Sequence, residues 1–168
     1  AEIVGDFLDL LETSAAVYEQ TGEYALTMAD SHWCRFLSSS SRELSGAPDL
    51  RQALDSGRWH CHESCWNRAA RLSIATGQPV EGECLGGLRL YAVPIRAGRK
   101  VIGSACFGYG DPPRGPEKLQ QVAATYGVSP DELRRRAELY ETRPPFIIEL
   151  AKKRLLSAAQ LIGEIVER

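Results

Sequence analysis

Two pairs of short apolar runs in this 168-residue chain follow the period of β-strands. Ala16 to Tyr18 and Tyr24 to Met28 flank a turn at Gly22, which predicts a β-hairpin. Leu88 to Ile95 and Val101 to Tyr109 are rich in Val, Ile, Tyr and Phe and predict a second hairpin. Side chains alternate along each strand, so odd and even positions of these runs face opposite sides of a sheet.

Other segments follow the helical period, and the residues that punctuate them mark their ends. The stretch from Ser38 to Ser45 is serine-rich and, with glycine and proline nearby, predicts mostly loop with one short helix. Gly77 is a natural stop for the helix before it, and Pro116 and Pro130 are natural starts for later helices. Helices are predicted over residues 3–11, Cys61 to Thr76, Pro116 to Tyr126, Ser129 to Tyr140 and Phe146 to Arg168. This order of elements predicts an α+β fold with one antiparallel sheet and flanking helices.

Composition and charge remove several classes of function. A net charge of -2 and a pI near 6.0 give no basic footprint for nucleic acid. No apolar run reaches the roughly 18 residues that a membrane helix needs. Five cysteines are an odd number, and no export signal is recognisable, so we expect reduced thiols in a cytoplasmic protein.

Metal-binding side chains are concentrated in the segment His60-Cys61-His62-Glu63-Ser64-Cys65. On a helix, Cys61 and Cys65 lie one turn apart on one face. Thiolate and imidazole are the ligands that zinc prefers, and four of them complete a structural site. The zinc hypothesis therefore groups Cys34, Cys61, Cys65 and Cys84, with His62 as a substitute for one of them.

Other chemistry fits the same residues. An iron–sulfur cluster would use the same four thiolates. Alternatively, the thiols bind no metal and are packed in the core or redox-active. In a haem-based sensor, His32 or His62 would be the axial ligand of the iron. A thiol enzyme would use Cys65 or Cys84 as nucleophile, His60 or His62 as base and Glu63 to orient it. Three neighbours on one helical turn converge poorly, and no nucleophile elbow or phosphate-binding glycine loop is present, so a non-catalytic domain is favoured.

A family resemblance covers nearly the whole chain. Cys84-Leu85-Gly86-Gly87-Leu88, Ala92-Val93-Pro94-Ile95, Gly98, Gly103 and Phe107-Gly108 resemble the PocR-type sensory domain, as do Trp33-Cys34-Arg35, Cys65 and Tyr126-Gly127-Val128. The family is a variant of the PAS-like fold, found in bacterial histidine kinases and transcription regulators. The resemblance implies a PAS/GAF-like antiparallel sheet that binds a small organic molecule, such as a simple alcohol, and signals to an output domain.

A sheet-based sensor is expected to hold its ligand between the sheet and the helices that cross it. We predict that Trp33, Tyr91, Phe107 and Tyr109 contact the ligand, with Trp33 and Tyr91 at the border of the cavity. Packing in the core is the alternative for each aromatic side chain. The sensory domain is predicted to span residues 1–143, and residues 144–168 are predicted to form a C-terminal signalling helix.

The C-terminal helix carries apolar side chains at spacings of three and four. This seam fits a parallel two-helix stalk, and hence a homodimer, and it fits equally a helix that packs on its own domain. The chain ends within the helix and includes no output domain, from which we expect a piece of a longer protein. The seam consists of Ile148, Ala151, Leu155, Ala158, Ile162 and Ile165.

Overall fold

The computed structural model describes residues 13–29 and 31–168, so the predicted helix over residues 3–11 lies outside the described part. One five-stranded sheet has the order β2-β1-β5-β4-β3, with every neighbouring pair antiparallel. Both predicted hairpins are confirmed as β1–β2 and β4–β5. The strands are β1 (Ser14–Glu19), β2 (Tyr24–Ala29), β3 (Val80–Glu83), β4 (Arg89–Ala97) and β5 (Lys100–Tyr109).

Strand β3 was not predicted. Its four residues read Val-Glu-Gly-Glu, a polar pattern with little β propensity, and only its position beside β4 makes it a strand. It pairs with the half of β4 from Arg89 to Ala92 and forms one edge of the sheet. Charged side chains on an edge strand discourage pairing with another chain, which fits Glu81 and Glu83 at this position.

The serine-rich stretch from Ser38 to Ser45 was predicted to be mostly loop, and that prediction is wrong. It lies within helix α1, where Ser40 and Ser41 donate hydrogen bonds back to main-chain carbonyls instead of interrupting the helix. Ser31 caps the helix by accepting from the Cys34 amide at 3.3 Å. The helices are α1 (His32–Leu44), α2 (Leu50–Asp55), composite helix α3, α4 (Pro116–Tyr126), α5 (Pro130–Glu138) and α6 (Pro145–Glu167).

Composite helix α3 has a π-helical middle that the sequence pattern did not predict. An α-helical turn, His60–His62, leads into π-helix Glu63–Ala70, and α-helix Arg71–Thr76 follows. Gly77 ends it with φ 65°, the left-handed conformation that favours glycine at this position. A π-helical stretch is rare, and such stretches often occur at functional sites.

The sheet has two faces that carry different partners. The cavity face includes Leu90, Ala92 and Cys106, which form a core cluster with Ala69 and Ala70 of α3. The α6 face consists of the alternate residues of the same strands and packs against Ala151, Leu155 and Ala159. Its buried residues are Ala15, Val93, Ile95, Ala105, Phe107 and Tyr109. A third cluster joins α1, α4 and α5 around Trp33, Leu37, Leu88, Leu119, Val122, Tyr126 and Leu133.

Most of the predicted seam of α6 is buried against its own sheet. Ala151, Leu155 and Ala158 are buried, and Ile148 and Ile162 pack beside them, whereas Ile165 is exposed. Of the two interpretations of the seam, packing on its own domain is the one that the structure contains. Among the described residues, no helix combines the length and apolar character needed to cross a membrane.

Candidate functional site: an uncharged cavity lined by thiols and aromatic rings

A cavity of about 260 Å³ lies between the cavity face of the sheet, helix α1 and composite helix α3. Strands β1, β4 and β5 form its floor, and α4 contributes one wall. Among the described residues, no charged side chain lines it. The lining consists of Ser14, Ala15, Ala16, Tyr18, Tyr24, Thr27, Trp33, Cys34, Leu37, Ser38, Trp59, Cys61, Cys65, Cys84, Gly86, Leu88, Leu90, Cys106, Phe107, Gly108 and Tyr126.

All five cysteines of the chain line this cavity. Cys34 comes from α1, Cys61 and Cys65 from α3, Cys84 from the turn after β3 and Cys106 from β5. Each is a free thiol. The structure thus brings together the four cysteines that the sequence analysis grouped, and it adds Cys106.

Four of these thiols are held in the neutral form. Burial raises the pKa of Cys34 and of Cys61, and it raises the pKa of Cys84 to about 12. The pKa of Cys65 is also raised, first by a hydrogen bond with Cys106 and then by burial. A cavity surrounded by neutral thiols is polarisable but weakly polar, and thiolate chemistry is disfavoured in it.

His62, the fifth member of the zinc hypothesis, is not among the residues that line the cavity with the thiols. Its Nδ1 atom is 3.0 Å from the Tyr24 hydroxyl, and its ring stacks on Trp59 with centroids 5.9 Å apart. Burial lowers its pKa. Across residues 13–29 and 31–168, no group of three or more His, Cys, Asp or Glu side chains is arranged to hold a metal ion. In this arrangement the five side chains of the zinc hypothesis do not form one coordination group.

The thiol-enzyme alternative requires an imidazole beside a nucleophilic thiol. His62 instead contacts Tyr24, the His60 ring meets the edge of the Tyr126 ring at 5.5 Å, and Glu63 accepts a hydrogen bond from Asn67. In the described part of the chain, no hydrogen bond joins a cysteine thiol to a histidine or a carboxylate. The three side chains proposed for a triad are therefore not assembled.

Aromatic rings form a continuous wall on one side of the cavity. The rings of Tyr18 and Tyr24 are 4.7 Å apart, and those of Tyr24 and Trp59 are 6.0 Å apart. Behind this wall, Trp66 packs on Tyr18 at 5.4 Å and His62 packs on Tyr24 at 5.4 Å. Trp66 and His62 thus cover the wall from outside the cavity and are not part of its lining.

Trp33 and Tyr126 line another part of the cavity, from α1 and α4. Trp33 is 1% exposed, and its indole Nε1 donates to the carbonyl of Gly86 at 3.1 Å. The Tyr126 hydroxyl lies 3.7 Å from the Cys61 sulfur, and burial raises the pKa of Tyr126. Gly86 permits the close approach, because a Cβ atom there would lie 2.7 Å from Leu37 and 3.6 Å from Trp33 Nε1.

Of the four predicted ligand residues, Trp33 and Phe107 line the cavity. The Phe107 ring nevertheless belongs to the α6 face, where it packs against Tyr91 and Tyr109 at 5.9 and 5.8 Å. Tyr91 and Tyr109 lie on the α6 face, which differs from the expected position of Tyr91 at the cavity border. The reason is strand alternation: Leu90, whose neighbour in the chain is Tyr91, points into the cavity.

Sequence reasoning missed Tyr18, Tyr24, Trp59 and Tyr126 as cavity residues. Part of the signal was available, because Ala92 and Cys106 pair across β4 and β5 and therefore share a face. From that pairing, Cys106 lies on the face of the sheet that carries Ala92, and Tyr91 lies on the opposite face. No local pattern links Tyr126 to the other three residues, since α4 meets α1 and α3 only through tertiary packing.

The sheet, its helices and the cavity between them define the chain as an α+β domain of the PAS-like class. The chain belongs to the PocR sensory-domain family: the model of the sensory domain found in PocR matches residues 1–167. Neither a curated protein nor a solved structure matches the chain. Membership in this family establishes a sensory domain, and the cavity described above is its candidate ligand site.

Proposed function

We propose that this domain binds a small, neutral organic molecule in the thiol-lined cavity and passes its occupancy through the sheet to α6 and on to an output domain. The observation that carries the proposal is a cavity of about 260 Å³ without a charged side chain among its described lining residues. Because a dry apolar cavity of roughly 150 Å³ accepts benzene, this volume corresponds to about ten non-hydrogen atoms. It is far too small for haem.

The charge of the ligand follows from its surroundings. An ion in this cavity would lose its hydration without gaining an opposite charge, which makes its entry unfavourable. The neutral state of Cys34, Cys61, Cys65 and Cys84 at pH 7 removes thiolates as partners for a cation. A neutral ligand is therefore favoured over a carboxylate or an ammonium.

Binding should stabilise the domain, and a side chain that fills the cavity should prevent it. With 4-ethylcyclohexanol at ten times its Kd, we expect the Tm to rise by about 3–6 °C, while cyclohexanecarboxylate gives no shift. Ala16 lines the cavity on the same face as Cys106, so Ala16→Phe should abolish the shift. Ala25 is exposed on neighbouring strand β2, and Ala25→Phe is the matched control. An undiminished shift in Ala16→Phe would place binding elsewhere.

The route from the cavity to α6 passes through strands β4 and β5, whose alternate residues face the cavity and the helix. At the α6 face, the Lys152 ammonium lies 2.7 Å from Glu81 and 4.6 Å from the centre of the Tyr109 ring. The Tyr109 hydroxyl donates to the other oxygen of Glu81 at 3.1 Å. This Lys152–Glu81–Tyr109 link connects α6 to strands β3 and β5. Movement of either strand would therefore change the position of Lys152 and of the helix that carries it.

Removing the charge of Lys152 should loosen α6 without opening the cavity. In Lys152→Met we expect amide exchange in α6 to rise about threefold to tenfold, because an ion pair and a cation–π contact of about 1 kcal/mol together are lost. Exposed Lys153 provides the control variant Lys153→Met. Equal exchange in both variants and the wild type would contradict a role for the link.

The same link has a defined pH dependence. The hydrogen bond from Lys152 lowers the pKa of Glu81 from 4.5, so the link is complete above about pH 4.5 and is lost as the pH falls through the lowered value. The difference between wild type and Lys152→Met should therefore disappear in acid.

Two expectations from the sequence stay predictions. A metal ion among the cysteines is tested by elemental analysis of purified protein, in which stoichiometric zinc or iron would establish it. A homodimer through α6 would have to use its exposed apolar side chains, since most of the predicted seam is buried. These are Phe146, Leu150, Leu156, Leu161, Ile165 and Val166. Light scattering over a range of concentrations tests the dimer, and a monomer at every concentration would exclude it for this domain.

A further inference from the structure

We propose that the cavity selects a neutral aromatic molecule of about ten non-hydrogen atoms with one hydroxyl or similar polar group, in preference to an aliphatic molecule of equal size. The inference rests on the proposed function, because it names the ligand class of the same cavity. Two features of the lining carry it: the aromatic wall and the buried Ser14 hydroxyl, which has no hydrogen-bond partner of normal geometry among the described residues.

The aromatic wall presents ring faces and edges rather than polar groups. Tyr18 donates to the Tyr24 hydroxyl at 3.4 Å, and Tyr24 in turn is bonded to His62 at 3.0 Å. The Trp59 indole donates to Ser38 at 3.3 Å. With these polar groups engaged by the protein, the surface left for a ligand is the π surface, which favours stacked or edge-on contact with another ring.

The polar groups of Trp33 and Tyr126 also have protein partners: the indole donates to the Gly86 carbonyl, and the Tyr126 hydroxyl contacts the Cys61 sulfur. Aromatic surface thus faces the cavity from α1, from α4 and from the Tyr18–Tyr24–Trp59 wall. The neutral thiols between these rings add polarisable contacts, since sulfur packs favourably against ring edges. A saturated ring of equal volume would fill the same space but would gain neither kind of contact.

One polar atom in the lining stands apart. Ser14 Oγ is buried and, among the described residues, has no hydrogen-bond partner of normal geometry. It lies near the Cys34 thiol and lowers the pKa of that group, as a hydroxyl directed at the sulfur does, and this leaves the Ser14 oxygen free to accept from a donor on the ligand. A buried hydroxyl of this kind calls for a partner, and a polar group on the ligand supplies one.

The ring preference is measured by calorimetric titration with 4-ethylphenol and 4-ethylcyclohexanol, which share size and substitution. We expect 4-ethylphenol to bind about tenfold more tightly to the wild-type domain. The preference should shrink to about twofold in Trp59→Leu, which removes one ring of the wall. It should persist in Trp66→Leu, because Trp66 lies behind Tyr18 and outside the lining.

The polar contact is measured with 4-ethylphenol and ethylbenzene, which differ only in the hydroxyl. Ser14→Ala should weaken 4-ethylphenol about fivefold and leave ethylbenzene unchanged. The variant should fold normally, since no protein hydrogen bond of normal geometry is removed. Equal effects on both ligands, or none on either, would overturn the assignment of Ser14.

The results distinguish failure of the aromatic preference from failure of the neutral-ligand site. Equal affinity for 4-ethylphenol and 4-ethylcyclohexanol, with both blocked by Ala16→Phe, overturns the aromatic preference and leaves a neutral-ligand site in place. Failure of every neutral probe to bind overturns both. A tenfold preference that survives Trp59→Leu undiminished overturns the role of the wall.

Discussion

Replacing Trp33 by alanine is expected to lower the free energy of unfolding by about 4 kcal/mol, the upper range for a large core residue. Trp33 is 1% exposed and packs in one cluster with Leu37, Leu88 and Leu119. It also satisfies the carbonyl of Gly86, which lies in the turn before β4. Truncation therefore removes buried area from the cluster that α1, α4 and α5 share, and it leaves a buried acceptor without its donor.

Urea denaturation monitored by circular dichroism measures this effect, and the corresponding fall in Tm is about 8–16 °C. Trp33→Phe is the matched variant, because it keeps most of the apolar contact and removes only the indole donor. We expect it to lose about 1–2 kcal/mol. A loss below 1 kcal/mol in Trp33→Ala would show that the cavity already uncouples Trp33 from the core.

The cavity itself adds a second consequence of this substitution. Removing the indole enlarges the 260 Å³ space on the side of α1. If the space does not collapse, larger neutral probes should bind the surviving folded fraction. Folded protein must therefore be verified before any change of ligand preference is interpreted.

The sequence predicted those parts of the fold that depend on local chemistry. Alternation in β4 and β5 assigned Leu90 and Tyr91 to opposite faces, and Gly77 and Gly127 marked helix ends that the structure contains. Family motifs around Cys84 identified the sensory domain over its whole length. These signals lie in short stretches of the chain, so a single sequence displays them.

The candidate site was only partly predictable, because it depends on which distant segments pack together. Tyr18 and Tyr126 are more than one hundred positions apart and meet at one cavity only after α4 docks on α1. The serines of α1 favour loops by composition, yet buried Trp33, Leu37 and Ser41 hold that stretch in a helix. Tertiary packing determines both the meeting of Tyr18 and Tyr126 and the helical state of the serine-rich stretch. Neither feature produces a hydrophobic period that can be recognised in the sequence.

Helix α6 lies directly against the main chain of β4 at Gly163. A Cβ atom at Gly163 would lie 1.8 Å from the carbonyl oxygen of Arg96, far inside the 3.0 Å that real Cβ atoms respect. A second contact lies one turn further along, where the Gly98 amide donates to Glu167 at 3.2 Å. The C-terminal half of α6 therefore rests directly on the end of β4 and the turn that follows it.

Gly163→Ala is expected to lower the free energy of unfolding by about 2 kcal/mol. Overpacking against a fixed carbonyl costs about 3 kcal/mol, and the better helix propensity of alanine returns about 1 kcal/mol. Since the obstacle is main chain, the helix must move away from β4 by more than about an ångström to restore contact distance. We expect faster amide exchange at the C-terminal half of α6 and unchanged exchange in β1.

Gly115→Ala is the matched control, because a Cβ atom there meets nothing within 4 Å and its φ of -68° suits alanine. It should cost no more than about 1 kcal/mol, the loss of a favourable N-cap residue. Neutral probes should still bind Gly163→Ala, since the cavity lies on the other face of the sheet. A Gly163→Ala domain as stable as wild type would mean that helix propensity outweighs the contact, and α6 would then not be held closely enough to follow movements of β4.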